Sequence, residues 1–229
     1  MIELFNVSAS IRSRPVLNGV SLKIDKGEFF YLVGRTGAGK TTLLRLIYMD
    51  LFPERGNVLV DRYSSANIDP RDIPYLRRKV GVIFQDYKLL PDRTVFDNVA
   101  FALQVIGAGR RDIRLKVPAA LRRVGLYHRR NRMPHHLSGG EQQRVAIARS
   151  LVTEPFILLA DEPTGNLDPE AADSIITLLE NINRSGTAIL MATHNYDLIQ
   201  SHPHRTLLME NGQLAGIIAP KDLPRRRFS

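Results

Sequence analysis

Short, continuous apolar runs separated by longer helical patterns dominate the sequence. Five of these runs are expected to be strands: residues 29–33, 80–84, 156–160, 188–192 and 206–209. Uninterrupted runs of this length are typical of a parallel sheet that helices cover on both faces. The pattern therefore predicts an α/β fold with a mostly parallel sheet at its core.

The N-terminal part and the middle of the chain follow other patterns. Residues 2–7 and 20–24 are strand-like, which predicts an N-terminal β part, and residues 210–213 are typical of a hairpin turn. From residue 95 to about 152 the apolar positions take a helical period. We predict one domain over residues 1–229. A core made of 1–84 and 153–229 is interrupted by a helical subdomain at 85–152.

Composition narrows the class of protein. The chain has 229 residues, of which 44% are hydrophobic, enough for a substantial core, and it contains no cysteine. No apolar run approaches the length of a membrane span, and the N-terminus lacks the pattern of a signal peptide. We therefore expect a protein of the cytoplasm that reaches a membrane only through a partner.

Positive charge is concentrated in two stretches. Nine arginine or lysine side chains lie between Arg110 and Arg132, opposed only by Asp112, and residues 225–227 are all arginine. Such stretches can bind anionic lipid or nucleic acid, and they can equally be solvated helix faces. The absence of interleaved aromatic residues argues against single-stranded nucleic acid.

A glycine-rich stretch follows the first apolar run and precedes a helical pattern. Its members are Gly34, Arg35, Thr36, Gly37, Ala38, Gly39, Lys40, Thr41 and Thr42. Strand, glycine-rich loop and helix are the context of a phosphate-binding P-loop, in which backbone N–H groups and the helix N-terminus face the anion. Lys40 is then expected to reach the β- and γ-phosphates, and the Thr41 hydroxyl to bind Mg²⁺.

Two further motifs carry chemistry. The spacing of Ser138 and Glu141 is that of a capping box, so a helix should begin there, and the intervening Gly139 and Gly140 would add N–H donors to a second anion site. Residues 157–162 form an apolar strand that ends in two carboxylates, at the sheet edge where ligands bind in open α/β folds. The first, Asp161, is expected to hold Mg²⁺, and the second, Glu162, to act as general base on water.

Taken together, these motifs resemble the nucleotide-binding subunit of ABC (ATP-binding cassette) systems over essentially the full chain. The eight residues from Leu137 to Arg144 are the specific part of the resemblance. It implies a RecA-like P-loop NTPase core with an antiparallel β part and a helical subdomain. It also implies that Gln85 is the Q-loop residue that contacts Mg²⁺ and that His194 contacts the γ-phosphate. Residues 164–168 would be the D-loop, of which Asp168 belongs to the nucleotide site.

The resemblance also implies a mechanism and partners. Two copies would pack head to tail, so that Ser138 of one faces the P-loop of the other, with ATP and Mg²⁺ between them. An integral membrane subunit would bind Gln85, residues 86–91 and the helical subdomain, and would hold the ATPase at the inner face of the cell membrane.

Within the family, residues 31–37, 84–90 and 161–168 are most similar to the cell-division branch. Lipoprotein-release and macrolide exporters share the last stretch. The eight-residue signature at 137–144 also occurs in DNA-associated ATPases, and a degenerate cassette could serve as a scaffold.

The family usually places an aromatic ring against adenine, and here that position falls near Ile11. The base would then be held by Ile11 or an arginine plane from Arg12 or Arg14, so ATP and GTP are expected to bind similarly.

Overall fold

The computed structural model describes residues 1–219, which form ten strands and seven α-helices. The strands are β1 (Ile2–Ile11), β2 (Arg14–Ile24), β3 (Phe29–Val33), β4 (Arg55–Val60), β5 (Tyr63–Ser64), β6 (Val80–Ile83), β7 (Ile157–Asp161), β8 (Ala188–Thr193), β9 (Arg205–Glu210) and β10 (Gln213–Ile218). The helices are α1 (Lys40–Ile47), α2 (Ile73–Arg78), α3 (Val95–Val105), α4 (Arg110–Arg123), α5 (Gly139–Leu151), α6 (Pro169–Arg184) and α7 (Tyr196–Ser201).

The larger sheet has the strand order β10-β9-β3-β8-β7-β6. All neighbours in it are parallel except β9 and β10, which form an antiparallel hairpin around Asn211 and Gly212. The predicted parallel sheet and the predicted hairpin are confirmed. Because β3, β8 and β7 are adjacent, the residues that follow their carboxyl ends meet at one edge.

The apolar runs of the larger sheet are continuous because both of its faces are buried. In β3, Phe29, Tyr31 and Val33 pack into the core that α3 to α6 cover, whereas Phe30 and Leu32 pack into the core beneath the smaller sheet and α1. All five side chains of this strand are buried. The strand that leads into the P-loop is therefore held from both sides.

The smaller sheet is antiparallel, with the order β2-β1-β4-β5, which confirms the predicted β part. The strands are longer than the expected 2–7 and 20–24. Register shifts in the β1–β2 ladder interrupt the alternation of apolar and polar positions, so the pattern identifies only the regular ends. The hairpin turns at Arg12 and Ser13, whose φ angles of 49° and 62° are left-handed.

The helical subdomain agrees with the predicted period. Helices α3, α4 and α5 lie between residues 95 and 151, and the breaks between them fall at residues 107–109, at Gly125 and near Pro134. The short helices α2 and α7 have no signal in the sequence, since six residues are too few to show a helical period. No helix in residues 1–219 is long and apolar enough to cross a membrane. The arginine run at 225–227 lies outside the described residues.

A group of titratable side chains ties the start of β9 to α6. His202 lies 2.8 Å from Asp173 and 3.2 Å from Glu180, and His204 lies 3.0 Å from the same Glu180 oxygen. Arg184 approaches Glu180 at 4.0 Å. Burial alone lowers the pKa of His202, but the hydrogen bonds to Asp173 and Glu180 outweigh it and raise the pKa above its ordinary 6.5.

We expect this cluster to make stability depend on pH near neutrality. Protonated His202 stabilises the fold fully below pH 6.5, and the contribution is lost as pH rises through the raised pKa. His202→Gln should therefore lower the melting temperature by a few degrees at pH 6 and by less at pH 8. Thermal denaturation at both pH values measures this, with exposed His128→Gln as the control. An equal loss at the two pH values would contradict the prediction.

Candidate nucleotide site

The P-loop connects β3 to α1, and close contacts explain Gly34 and Gly39. A Cβ atom on Gly34 would lie 2.3 Å from the Met209 carbonyl oxygen, and one on Gly39 would lie 2.7 Å from a Leu17 methyl. Gly39 also has a φ of 108°, which side chains disfavour. No side chain caps α1, which begins at Lys40. Its N-terminal N–H groups can therefore bind an anion.

Lys40 is the buried cation of the loop. Its side-chain nitrogen donates hydrogen bonds to the carbonyl oxygens of Gly34 at 2.8 Å and Arg35 at 3.3 Å, and it lies 3.9 Å from Glu162. The side chain is 9% exposed. The ammonium group is thus fixed within the loop, between the backbone that would surround a phosphate and the carboxylate that follows β7.

Thr41 and Asp161 form a polar pair at the sheet edge. The Thr41 hydroxyl donates a hydrogen bond of 2.8 Å to Asp161, which ends β7. Burial raises the pKa of Asp161 and the nearby Glu162 charge adds to the rise, while the Thr41 hydrogen bond and Lys40 oppose it. A divalent cation here would offset the cost of ionising Asp161, and hydroxyl and carboxylate oxygens are the ligands that Mg²⁺ prefers.

Glu162 and His194 face each other across the same edge. A Glu162 oxygen lies 2.8 Å from His194 Nδ1. The backbone of Glu162 is left-handed, with φ of 47°, and its N–H donates to the Ala192 carbonyl at 2.9 Å. The Glu162 side chain is 13% exposed, whereas that of His194 is 63% exposed. His194 can therefore reach a ligand above the edge while it contacts the carboxylate.

Gln85 follows β6 and lies beside the D-loop. A Cβ atom on Gly165 would come within 2.9 Å of the Gln85 amide nitrogen, and Asn166 donates to the Gln85 carbonyl at 3.3 Å. Arg149 of α5 holds the next residues by donating to the carbonyls of Tyr87 and Lys88. Nothing in the sequence marks Arg149, since its position is that of an ordinary helical arginine.

One cavity of about 1020 Å³ brings most of the predicted residues together. Its lining includes Ile11, Arg12, Arg14, Thr36, Gly37, Gly39, Lys40, Thr41, Thr42, Gln85, Asp161, Glu162 and His194. The P-loop and the carboxylates of β7 thus share a cavity with the tip of the β1–β2 hairpin. Gly34, Arg35 and Ala38 instead line a neighbouring cavity of about 790 Å³, which shares Thr36 and Gly37 with the first.

The signature motif lies elsewhere in the chain. Ser138 caps α5 in a full capping box with Glu141, as predicted, with hydrogen bonds of 3.2 and 3.0 Å. Close packing accounts for the glycines: a Cβ on Gly139 would lie 3.0 Å from the Tyr87 hydroxyl, and one on Gly140 would lie 3.3 Å from the Ala171 methyl. None of these signature residues lines the two cavities beside the P-loop.

Asp168 begins α6 as its N-cap. The side chain accepts a hydrogen bond of 2.8 Å from the Ala171 N–H, and Pro169 occupies the first helical position, as predicted. Asp168 is absent from the cavity linings beside the P-loop. The D-loop therefore contacts Gln85 through Gly165 and Asn166 within this chain, and Asp168 lies further along, at the start of α6.

Comparison with solved structures places this fold among ATP-binding cassettes. The chain aligns with cbiO1 from Clostridium perfringens, described as part of an ABC transporter complex, with a TM-score of 0.88 and 30% identity over 97% of this chain and 89% of that one. It aligns with MJ0796, a cassette seen as a dimer with ADP and Pi, with a TM-score of 0.84 and 31% identity over the whole of both chains. The ABC transporter family model matches residues 17–165. The chain belongs to this family and is an ABC ATPase, which hydrolyses ATP.

Similarity to curated proteins narrows the class further. The chain is 50% identical to the cell division ATP-binding protein FtsE of Streptococcus pneumoniae over 86% of both proteins. It is 49% identical to FtsE of Mycobacterium tuberculosis over 93% of this chain and 94% of that protein. It is 46% identical to FtsE of Escherichia coli over 94% of this chain and 98% of that protein. Within its family the chain is therefore an FtsE-like ATPase subunit that acts in cell division.

Proposed function

We propose that two copies of this chain close head to tail around two ATP molecules, as the resemblance to cassettes implies. One observation carries the proposal: Ser138, Gly139 and Gly140, at the start of α5, are exposed or half-buried and lie outside the P-loop cavity of their own chain. A second copy can bring this helix start to the phosphates. The dimeric state of the MJ0796 cassette supports the same arrangement.

The residues of the cavity would divide the work of binding and hydrolysis. Lys40 is buried in the loop and would hold the β- and γ-phosphates. Glu162 is the carboxylate that would take a proton from the attacking water, and His194 would hold Glu162 in place and contact the γ-phosphate. Asp168 would act at the dimer interface, because it is exposed at the start of α6 and lines neither cavity beside the P-loop of its own chain.

The residues around Asp161 fit Mg²⁺. Thr41, Asp161 and Gln85 offer a hydroxyl, a carboxylate and an amide oxygen in the lining of one cavity. No group of three or more His, Cys, Asp or Glu residues in the described part of the chain could hold a metal ion. Phosphate oxygens and water would therefore complete the coordination, as is usual for Mg²⁺ in nucleotide sites. Bound there, Mg²⁺ would neutralise charge on the β- and γ-phosphates.

A groove beside Gln85 supports docking of an integral membrane subunit similar to FtsX, the membrane protein with which FtsE pairs. It has a volume of about 590 Å³, and its apolar surface comes from β6 and the end of α3, including Val82, Phe84, Val105 and Ile106. Arg149, which binds the loop after Gln85, also lines it. A partner segment seated here would contact the Q-loop and α5 together, which would couple its movement to the nucleotide sites.

Phe101 provides the test of this groove. The residue lines the groove and is 36% exposed, so Phe101→Glu should place a charge where an apolar partner surface would dock. We expect co-purification with FtsX to fall at least about tenfold. Phe52→Glu is the matched control, since Phe52 is 48% exposed and is not part of the groove lining.

Two results would be decisive for the groove. Retained co-purification of Phe101→Glu would contradict the assignment. A loss of co-purification supports it only if the isolated variant still binds ATP within about threefold of wild type. The sequence also predicts Leu89 at this surface, but Leu89 is half-buried and packs against the core that α3 to α6 cover. A charge at Leu89 would disturb folding, so Phe101 replaces it in the test.

The cellular role that we propose rests on this partner. The ATPase would sit at the inner face of the cell membrane through the FtsX-like subunit, and ATP-driven closing and opening of the dimer would be passed across the membrane to enzymes that cut peptidoglycan. The FtsE relatives at 46% and 50% identity favour this role over lipoprotein or macrolide export and over a DNA-associated ATPase.

A further inference from the structure

Helix α4 presents a dense positive surface. Over fourteen residues it carries six arginine or lysine side chains and only one acidic residue, Asp112. Five of the six are exposed: Arg110, Arg111, Arg114, Arg122 and Arg123. The sixth, Lys116, pairs with Glu154 at 3.2 Å. No other ion pair involving these six side chains occurs in residues 1–219. Most of the charge on α4 is therefore available to an outside anion.

Exposed apolar side chains interrupt this basic surface. Leu115 is 62% exposed and lies one turn after Arg111, with Arg114 as its neighbour in sequence. Val105, at the end of α3, is 67% exposed. Exposed aliphatic side chains among arginines are typical of helices that lie on a bilayer, where the guanidinium groups meet headgroups and the apolar groups enter the acyl boundary.

Helix α4 follows the groove described above closely in sequence. Val105 lines that groove, and α4 begins only five residues later, at Arg110. A membrane subunit docked in the groove would bring the first turn of α4 towards the bilayer. The nucleotide cavity draws none of its lining from α4, so contact with a membrane leaves it accessible.

We propose that α4 binds the headgroups of anionic lipids through Arg110, Arg111 and Arg114, with Leu115 and Val105 at the acyl boundary. The proposal rests on the proposed function only for the partner that brings α4 to the membrane. Nucleic acid is the other polyanion that a basic helix could bind. Aliphatic side chains beside the arginines fit lipid better than the bases of a single strand, which would require exposed rings for stacking. The comparison with duplex DNA is left to the experiment.

Vesicle binding by the purified full chain tests the proposal. We expect binding to phosphatidylglycerol/phosphatidylcholine vesicles that weakens with salt, and none to phosphatidylcholine alone. Arg111→Gln/Arg114→Gln should bind about thirtyfold more weakly, since each arginine near an anionic surface contributes about fivefold. The single substitution Leu115→Ser should also weaken vesicle binding, although it changes no charge. The control Lys26→Gln/Arg71→Gln removes the same charge from exposed positions outside α4 and should bind almost as wild type.

Three outcomes would overturn the proposal: no difference between the two lipid mixtures, an equal effect of the control pair, or tighter binding to duplex DNA than to vesicles at the same salt. The test is independent of FtsX docking. Retained co-purification of Phe101→Glu together with lipid-selective vesicle binding would mean that the docking groove is wrong and the lipid surface is right. Loss of co-purification without lipid-selective vesicle binding would mean the reverse. Unchanged ATPase activity of the α4 variants without vesicles confirms that they fold.

Discussion

Glu162→Gln is expected to stop ATP hydrolysis while leaving ATP binding intact. The Glu162 carboxylate lies 2.8 Å from His194 and 3.9 Å from Lys40, where an amide of the same shape can keep the contact with His194 but cannot accept a proton from water. A positioned general base contributes about 10²–10⁴ to a rate, so turnover should fall at least about a hundredfold. Affinity for ATP should stay within about threefold, because the base acts in the transition state.

Phosphate release and nucleotide titration measure the two halves of this prediction. Glu170→Gln is the matched control, since it makes the same chemical change at an exposed position in the first turn of α6. It should hydrolyse ATP at the wild-type rate. If Glu162→Gln retained more than about a tenth of wild-type turnover, Glu162 would not be the general base, and the roles assigned to this edge of the sheet would need revision.

Lys40→Ala is expected to abolish ATP binding. Its ammonium group is the buried cation of the P-loop, held by the carbonyls of Gly34 and Arg35. Each hydrogen bond from a charged group contributes about 1.5–3 kcal/mol. Losing contacts to two phosphates should therefore weaken binding by more than about a hundredfold.

Folding must be separated from binding in this experiment. Arg45→Ala changes a partly exposed cation on the same helix and should bind ATP normally. Lys40→Met keeps most of the buried chain length without the charge, and it should fail to bind ATP as Lys40→Ala does. A Lys40→Met protein that melts as wild type and binds ATP within about tenfold of wild type would contradict the assignment.

Most of the edge that forms the nucleotide cavity was predictable from the sequence. Each of Lys40, Asp161 and His194 lies at or just after the carboxyl end of a strand or at a helix start, and parallel strands bring such positions to one edge whatever the details of packing. The capping box at Ser138 and the N-cap at Asp168 were predictable because they depend on side chains or N–H groups only three residues away.

Features that depend on distant contacts could not be predicted. The bonds from Arg149 to the loop after Gln85 join residues that are 61 and 62 positions apart. The packing of Leu89 depends on how the helices assemble on the larger sheet to form the core. The His202 cluster joins α6 to the start of β9, and lone histidines have no sequence pattern. In each case the cause is tertiary packing, which local periodicity does not encode.

The mass of the Glu162→Gln protein in solution, with and without ATP and Mg²⁺, tests the central claim most directly. We predict a monomer without nucleotide and a dimer with it by size-exclusion chromatography with light scattering. Adding Ser138→Asp should abolish the dimer, because aspartate keeps the N-cap but places a negative charge against the partner's phosphates, whereas adding Ser138→Asn should preserve it. A Glu162→Gln protein that binds ATP and stays monomeric would contradict the claim that each site is built by two copies.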